Sequence, residues 1–302
     1  MKALPRNSGA QAGAVARIVL IGMVAAAGMV VGSPASPSAA AISPVGLVPE
    51  SRQFFAAPGQ TAVEGSVTCP SGTVVVAAAA GGVILGTLRP IGNFLSQGSG
   101  FAVNATGRIT AAGDALTVTA TCAPLSRLGN VTSRTKVVPS GGRAFRRDFV
   151  ECPAGFYAFG GGGHYQNPLQ GTSRNGINMV ANAPSADGTK WTFAGTNNVL
   201  SDDLVITTQC AQMASPRRDH IVQSGAPSVP NNFVGGFADC PAGWTALSGG
   251  VYLSKADGSE APGRTAWSIP AHRQGAFSSW FALGQADSAA NTKTNTLAQC
   301  II

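Results

Sequence analysis

Six cysteines divide this chain into three similar stretches, and their spacing constrains the fold more than any other feature. Each stretch opens with Cys-Pro-x-Gly, at Cys69, Cys152 or Cys240, and each has one later cysteine. The closing cysteines, Cys122, Cys210 and Cys300, follow after 53, 58 and 60 residues. Equal gaps then separate each closing cysteine from the next Cys-Pro. The pattern indicates three tandem copies of one unit.

Each copy has the composition of short β-strands separated by turn residues. The closing cysteines end runs rich in Thr and apolar residues, such as 116–122 and 204–210, which favour strands. A glycine two residues after each Cys-Pro predicts a turn, and Gly-Gly pairs at 81–82, 162–163 and 249–250 indicate a bulge or a close backbone crossing. No stretch has a sustained helical period. We therefore expect an all-β protein of three antiparallel, sandwich-like modules, each with about six strands. The predicted modules span 50–125, 132–213 and 217–302.

The amino terminus has the three parts of a secretory signal peptide. A weakly basic start (Lys2, Arg6, Arg17) precedes an apolar run over 18–32 and a small-residue stretch that ends near Ala41. The apolar run is too short for a spanning helix, so we expect no transmembrane anchor. The sequence predicts a cleaved signal over 1–41 and a flexible segment over 42–49. Cleavage lowers the formal net charge of +7 by three, so the exported protein is only mildly basic.

Export to an oxidising compartment predicts that all six cysteines form disulfides. Pairing within copies would join Cys69 with Cys122, Cys152 with Cys210 and Cys240 with Cys300, and each bridge would contribute ~4 kcal/mol by the chain-entropy estimate. The alternative joins neighbouring copies through Cys122–Cys152, Cys210–Cys240 and Cys69–Cys300. That second pairing would close a single pseudo-threefold β-prism or trefoil. Symmetry favours the pairing within copies.

The Cys-Pro-Ala-Gly, Gly-Gly and closing Cys elements resemble the tandem modules of a group of secreted actinobacterial proteins. The resemblance covers nearly all of the chain after the signal and implies export and repeated β modules. It assigns no catalytic or binding residue. The layout of six strands and one bridge is also similar to small sandwich lectins, in architecture alone. Copy one departs most from the pattern, because Ser71 replaces the alanine and no tryptophan precedes its closing cysteine.

The sequence contains no recognisable catalytic or metal-binding motif. There is no G-x-S-x-G elbow, P-loop, HExxH or CxxC pair, so we predict neither a cofactor nor a metal site. His164, His220 and His272 occupy different positions in their copies, and His164 is interpreted as a strand residue beside glycines. Asp202 and Asp203 are interpreted as turn residues. An enzyme with a site dispersed between modules is the third functional hypothesis.

Two binding hypotheses remain beside a purely structural role for this secreted, extracellular or loosely envelope-associated protein. Trp191, Trp280, Tyr165 and Tyr252 are candidates for stacking on a sugar, which would make the protein lectin-like. The competing interpretation, favoured for modules this small, is that most of these rings belong to the core. Basic residues gather at the junctions between copies and could attract an anionic wall polymer by charge. We interpret those stretches as lacking the interleaved aromatic residues of single-strand binders, so no nucleic-acid partner is expected. The basic residues are Arg127, Arg134, Lys136, Arg143, Arg146, Arg147, Arg217 and Arg218.

Overall fold

The computed structural model describes twelve stretches of the chain. They are residues 46–55, 57–59, 62–82, 89–95, 102–108, 115–169, 178–212, 220–227, 229, 232–273, 276–287 and 292–301. The predicted signal peptide over 1–41, the first part of the predicted 42–49 segment, and Arg217 and Arg218 lie outside these residues. The described part contains eighteen strands and one four-residue helix, so the prediction of an all-β protein is confirmed.

The strands form three groups of six along the chain, here called segments 1, 2 and 3. Segment 1 contains β1 (Val48–Phe55), β2 (Ala62–Thr68), β3 (Thr73–Gly82), β4 (Arg89–Leu95), β5 (Ala102–Arg108) and β6 (Ala115–Pro124), followed by α1 (Leu125–Leu128). Segment 2 contains β7 (Val131–Val138), β8 (Phe145–Glu151), β9 (Tyr157–Gln166), β10 (Asn178–Pro184), β11 (Lys190–Thr196) and β12 (Asp203–Ala211). Segment 3 contains β13 (His220–Pro227), β14 (Val234–Asp239), β15 (Thr245–Lys255), β16 (Gly263–Arg273), β17 (Ala276–Ala286) and β18 (Thr292–Ile301).

The same antiparallel pairing occurs in all three segments. The sixth strand lies between the first and third, and the fifth lies between the second and fourth. Segment 1 thus pairs as β1-β6-β3 and β2-β5-β4, segment 2 as β7-β12-β9 and β8-β11-β10, and segment 3 as β13-β18-β15 and β14-β17-β16. Each segment consists of two three-stranded layers, with apolar side chains of the second and sixth strands between them, as Val67 and Leu116 show in segment 1.

The segments also pair with one another through their third and fourth strands. Strand β4 pairs with β9, where Asn93 lies opposite Gly163. Strand β10 pairs with β15, where Ala181 lies opposite Tyr252. Strand β16 lies beside β3, so contacts run from each segment to the next and from the last to the first. These strands belong to one compact unit.

The three disulfides lie within the segments, as symmetry favoured. Cys69–Cys122, Cys152–Cys210 and Cys240–Cys300 each have a Cα–Cα distance of 5.7 Å. The alternative pairing between neighbouring copies is therefore wrong. In each case the first cysteine follows the second strand and its partner lies on the sixth strand. Every bridge thus joins the two layers of one segment, which belong to different sheets.

A β-bulge occurs at the same position in all three segments. On the third strand, Val75, Ala158 and Ala246 lie opposite the closing cysteines, and the ladder register shifts directly after them. The extra residues are Val76, Phe159 and Leu247, all fully buried. They meet in one apolar group, the central cluster, which contains Leu47, Val74, Val76, Ala123, Leu128, Phe159, Ala211 and Leu247. The bulge thus turns one apolar residue per segment toward a core that all three share.

The glycines have two separate roles. The glycine of each Cys-Pro-x-Gly has a positive φ, between 80° and 82°, which confirms its predicted turn role. The Gly-Gly pairs do not share one ladder position, because Gly81 lies opposite Thr117, Gly162 opposite Thr207 and Gly249 opposite Ala298. Nor do they form the bulge, which comes before them. The bulge predicted as one alternative for these pairs is therefore wrong, whereas the other alternative, a close approach that a side chain would block, is confirmed at Gly163, Gly249 and Gly250.

Candidate binding surface

Three of the four aromatic residues considered for sugar stacking lie in the interior. Trp191, Trp280 and Tyr165 are at most 2% exposed, so their ring faces are covered by protein. Each polar group has a partner inside the chain. The indole N–H of Trp191 donates to Asn182 Oδ1 at 2.7 Å, that of Trp280 to Ser268 Oγ at 2.9 Å, and the Tyr165 hydroxyl to the Gly195 carbonyl at 2.7 Å. These rings fill the segments and present no stacking face.

Glycines on the third strand make room for these rings. A methyl group at Gly161 would lie 2.5 Å from the Trp191 ring, and one at Gly163 would lie 2.5 Å from the Phe193 ring. In segment 3, a methyl group at Gly249 would clash with the Trp280 ring. The glycine run therefore permits close aromatic packing. The fourth candidate, Tyr252, is half-buried and packs against the apolar group around Ala181.

Among the side chains that the structure describes, the exposed aromatic residues of segments 2 and 3 are phenylalanines on the second strand. Phe149 and Phe237 each lie three residues before the first cysteine of their segment, where segment 1 has Ser66. Both face outward, with exposures of 40% and 38%. Phe145, on the same face of β8, is also 40% exposed. The interpretation that these stretches lack interleaved aromatics was wrong, because Phe145, Arg147 and Phe149 alternate along the outer face of β8.

Two lysines lie close to the ring of Phe149. The Lys190 ammonium is 4.6 Å from the ring centroid and the Lys136 ammonium is 5.3 Å from it, within the range of cation–π attraction. Lys136 also forms an ion pair with Asp148 at 2.8 Å, and Lys190 with Glu151 at 3.4 Å. Strand β8 is at the edge of its sheet in the described structure. We call this surface the aromatic–basic strip; it comprises Lys136, Phe145, Arg147, Phe149 and Lys190.

Segment 3 has a phenylalanine at the matching position, beside a second aromatic ring. Phe237 lies opposite Phe281 on β17, and the two ring centroids are 4.8 Å apart at an angle of 38°. Phe149 lies opposite Thr192 at the corresponding point of segment 2. The two second strands therefore present aromatic residues of the same exposure but with different neighbours.

Arg146 points into the interior from β8, whereas Arg147 on the same strand faces outward. It is buried, and its guanidinium lies 4.6 Å from the centroid of the Tyr165 ring. It donates hydrogen bonds to the carbonyls of Val138 and Asp202. Burial raises the pKa of Tyr165 to about 12, although Arg146 acts in the opposite direction. Arg146 is thus a structural support beneath the strip and is not part of a solvated basic face.

Arg147 connects the strip to segment 3. Its Nε lies 2.9 Å from Glu260 Oε1, in the turn that follows β15. Burial raises the pKa of the Glu260 carboxyl, and the nearby Arg147 opposes that shift. The ion pair spans two segments, so the end of the strip is fixed against its neighbour.

The other polar residues considered for chemistry have local structural partners. Asp203 Oδ1 accepts a hydrogen bond from the Ser140 amide at 3.0 Å, and Asp202 Oδ2 accepts one from the Asn197 side chain at 3.0 Å. His164 lies on β9 opposite Val205, as predicted for a strand histidine. Burial lowers the pKa of His164, while a side-chain hydrogen bond with Gln166 acts in the opposite direction. The side chains of His220 and His272 lie outside the description.

Comparison with known proteins adds no assignment to these features. No protein-family description matches the chain, and no curated protein matches its sequence closely. Within the described stretches, no group of three or more potential metal ligands comes together. No helix in the same stretches has the length and apolar character needed to cross a membrane. What the fold and the surface define is therefore a disulfide-linked all-β protein with an exposed aromatic–basic strip.

Proposed function

We propose that this protein is an exported, non-catalytic binding protein whose aromatic–basic strip holds an anionic glycan of the cell envelope. The observation that carries the proposal is Phe149, a ring that is 40% exposed and has two lysine ammonium groups within 5.3 Å of its centroid. Export is supported by the three disulfides, which are characteristic of oxidising compartments.

The strip offers two kinds of contact that an acidic sugar chain can use together. The C–H face of a sugar ring packs on an exposed aromatic ring, while its carboxylate or phosphate groups pair with lysine ammonium groups. Phe149 supplies the ring, and Lys136 and Lys190 supply the charges at 5.3 and 4.6 Å from it. Both lysines already have carboxylate partners, so the ligand competes with Asp148 and Glu151 for them. We therefore expect modest affinity that falls with salt.

An anionic glycan fits the strip better than nucleic acid does. Acidic side chains lie among its basic residues, and Asp148, Glu151 and Glu260 each pair with one of them. Nucleic-acid surfaces depend on several uncompensated phosphate contacts, and this compensation weakens them. A glycan with spaced charges needs only one or two such contacts per sugar.

The test is binding of the oxidised, mature protein to an immobilised polyuronate, with a neutral glucan as comparison. We expect binding to the polyuronate alone. Phe149→Ala should weaken it about tenfold, on the order of the 1–2 kcal/mol of one exposed aromatic contact. Phe237→Ala is the matched control, because it removes a similarly exposed ring at the corresponding position of segment 3, outside the aromatic–basic strip, and it should bind as the wild type does.

Lysine variants and the neutral glucan provide further tests of the proposed glycan binding. Lys136→Gln with Lys190→Gln should weaken binding and also reduce its dependence on salt. Equal binding to the neutral glucan, or full binding by Phe149→Ala, would overturn the proposal. Release of shortened sugar chains would instead favour the hypothesis of a dispersed enzyme site.

A further inference from the structure

Beside the central cluster lies a set of polar side chains that are as deeply buried as the apolar ones. The residue directly before each closing cysteine is polar, namely Thr121, Gln209 and Gln299, and each is at most 2% exposed. Ser248 lies opposite Gln299 on the neighbouring strand and is fully buried. We call these four side chains the polar layer.

Strand geometry places the polar layer next to the central cluster. Side chains two residues apart on a strand lie on the same face. Thr121 precedes Ala123 by two, and Gln209 precedes Ala211 by two, and both alanines belong to the central cluster. Gln299 stands in the same relation to Ile301, which packs against that cluster. The third strands β3, β9 and β15, which carry the bulges, also lie beside one another. All three segments therefore contribute to one layer.

The polar layer has hydrogen-bonding groups that no described protein group satisfies. They are Thr121 Oγ1, Gln209 Nε2, Ser248 Oγ, Gln299 Nε2 and Gln299 Oε1. A buried polar group left without a hydrogen bond costs about 1–3 kcal/mol, and such groups are rare in native proteins. Five of them beside one core would cost a large part of a typical folding free energy. The layer therefore requires additional hydrogen-bonding partners.

We propose that the polar layer is an internal hydration site, in which water molecules bridge the side chains of the three segments. None of the four side chains is ionisable, and an ion without a countercharge would be very costly at this depth, so the guest must be neutral. The five groups include donors as well as acceptors, as water requires. Because a buried water makes about three hydrogen bonds, roughly two waters satisfy the layer.

The experiment is oxygen-17 magnetic relaxation dispersion on the whole oxidised protein, which counts water molecules held longer than the tumbling time of the protein. The variant Gln209→Leu/Gln299→Leu replaces both amides by apolar side chains of similar size. We expect its dispersion to report about two fewer long-lived waters than the wild type. Thr208→Val is the control, because the Thr208 hydroxyl donates to the Gly160 carbonyl at 2.8 Å and lies on the opposite face of β12, so its water count should not change.

An unchanged count in the Leu variant would overturn the proposal. A room-temperature crystal structure of the wild type gives a second test that does not depend on whether the variant folds. Water density within hydrogen-bond distance of Gln209 Nε2 and Gln299 Nε2 supports the site. Amides that instead bond to protein groups, with no water between them, would refute it.

Discussion

Trp191 and Trp280 show why a residue type does not reveal its own exposure. Both lie on predicted strands, where an exposed tryptophan could bind a sugar. Glycine-bearing strands of their own segments cover both rings. An exposed aromatic position that segments 2 and 3 share is the phenylalanine three residues before Cys152 and Cys240. The sequence contained a signal for it, because Phe145, Arg147 and Phe149 have the period of two that places them on one face of a strand.

His164 provides a prediction at the scale of a residue. Burial lowers its pKa below the ordinary histidine value of 6.5, so the folded protein binds a proton less readily than the unfolded chain. Its contribution to stability is therefore complete above pH 6.5 and is lost as the pH falls from 6.5 toward the lower folded-state pKa. Urea unfolding across this range should show a slope that His164→Gln reduces. The same slope in both proteins would contradict this role.

At the scale of the element, strand alternation and the β-bulge together supply the shared core. The sequence offers Val74, Val75 and Val76 as three equivalent apolar residues, but alternation places Val75 in the core of segment 1 and the other two in the central cluster. Val76 is the extra residue at the register shift, and Phe159 and Leu247 hold the same position in the other segments. The Gly-Gly pairs suggest a bulge because glycine is common in bulges. The bulge itself is found only from the strand pairing, where one extra residue interrupts the register.

Phe159→Ala tests the role of the bulge. The change removes a fully buried ring from the central cluster, and we expect a loss of about 3–5 kcal/mol in the free energy of unfolding, measured with urea. Phe145→Ala is the control, since it removes the same ring from an exposed position, and it should cost well under half as much. A similar cost for both variants would show that Phe159 does not lie in a shared core.

At the scale of the whole molecule, the disulfides and the strand pairing join the segments in different ways. Each disulfide closes one segment by connecting its two layers, whereas β4–β9 and β10–β15 pairing connects one segment to the next. Because the central cluster takes residues from every segment, loss of packing in one segment exposes apolar surface in the others. We therefore expect the three segments to unfold together.

Removing the Cys152–Cys210 bridge tests this coupling. The bridge closes a loop of 58 residues, and its loss through Cys152→Ala/Cys210→Ala should lower stability by ~4 kcal/mol on the chain-entropy estimate. Calorimetry should show one transition, shifted to lower temperature. A separate early transition for segment 2, with the remaining unfolding unchanged, would mean that the segments are independent domains.

The sequence by itself determined the features that depend on local pattern and on repetition. Runs rich in Thr and apolar residues, turn residues and the lack of a helical period predicted the all-β class and about six strands per copy, and the repeated cysteine spacing favoured the correct pairing by symmetry. The turn glycines were predicted for the same reason, because a positive φ is a property of the residue and its neighbours.

Only the tertiary structure decided the pairing between segments, the shared core, the polar layer and the exposure of each aromatic ring. Each of these depends on which face of a strand another segment covers, and a strand pattern does not specify its distant neighbour. Gln209 and Gln299 look like surface residues in the sequence, and Trp191 looks like a possible binding residue, yet all three are buried. The physical reason is that burial is a property of the assembled sheets, whereas strand formation is largely a property of the local chain.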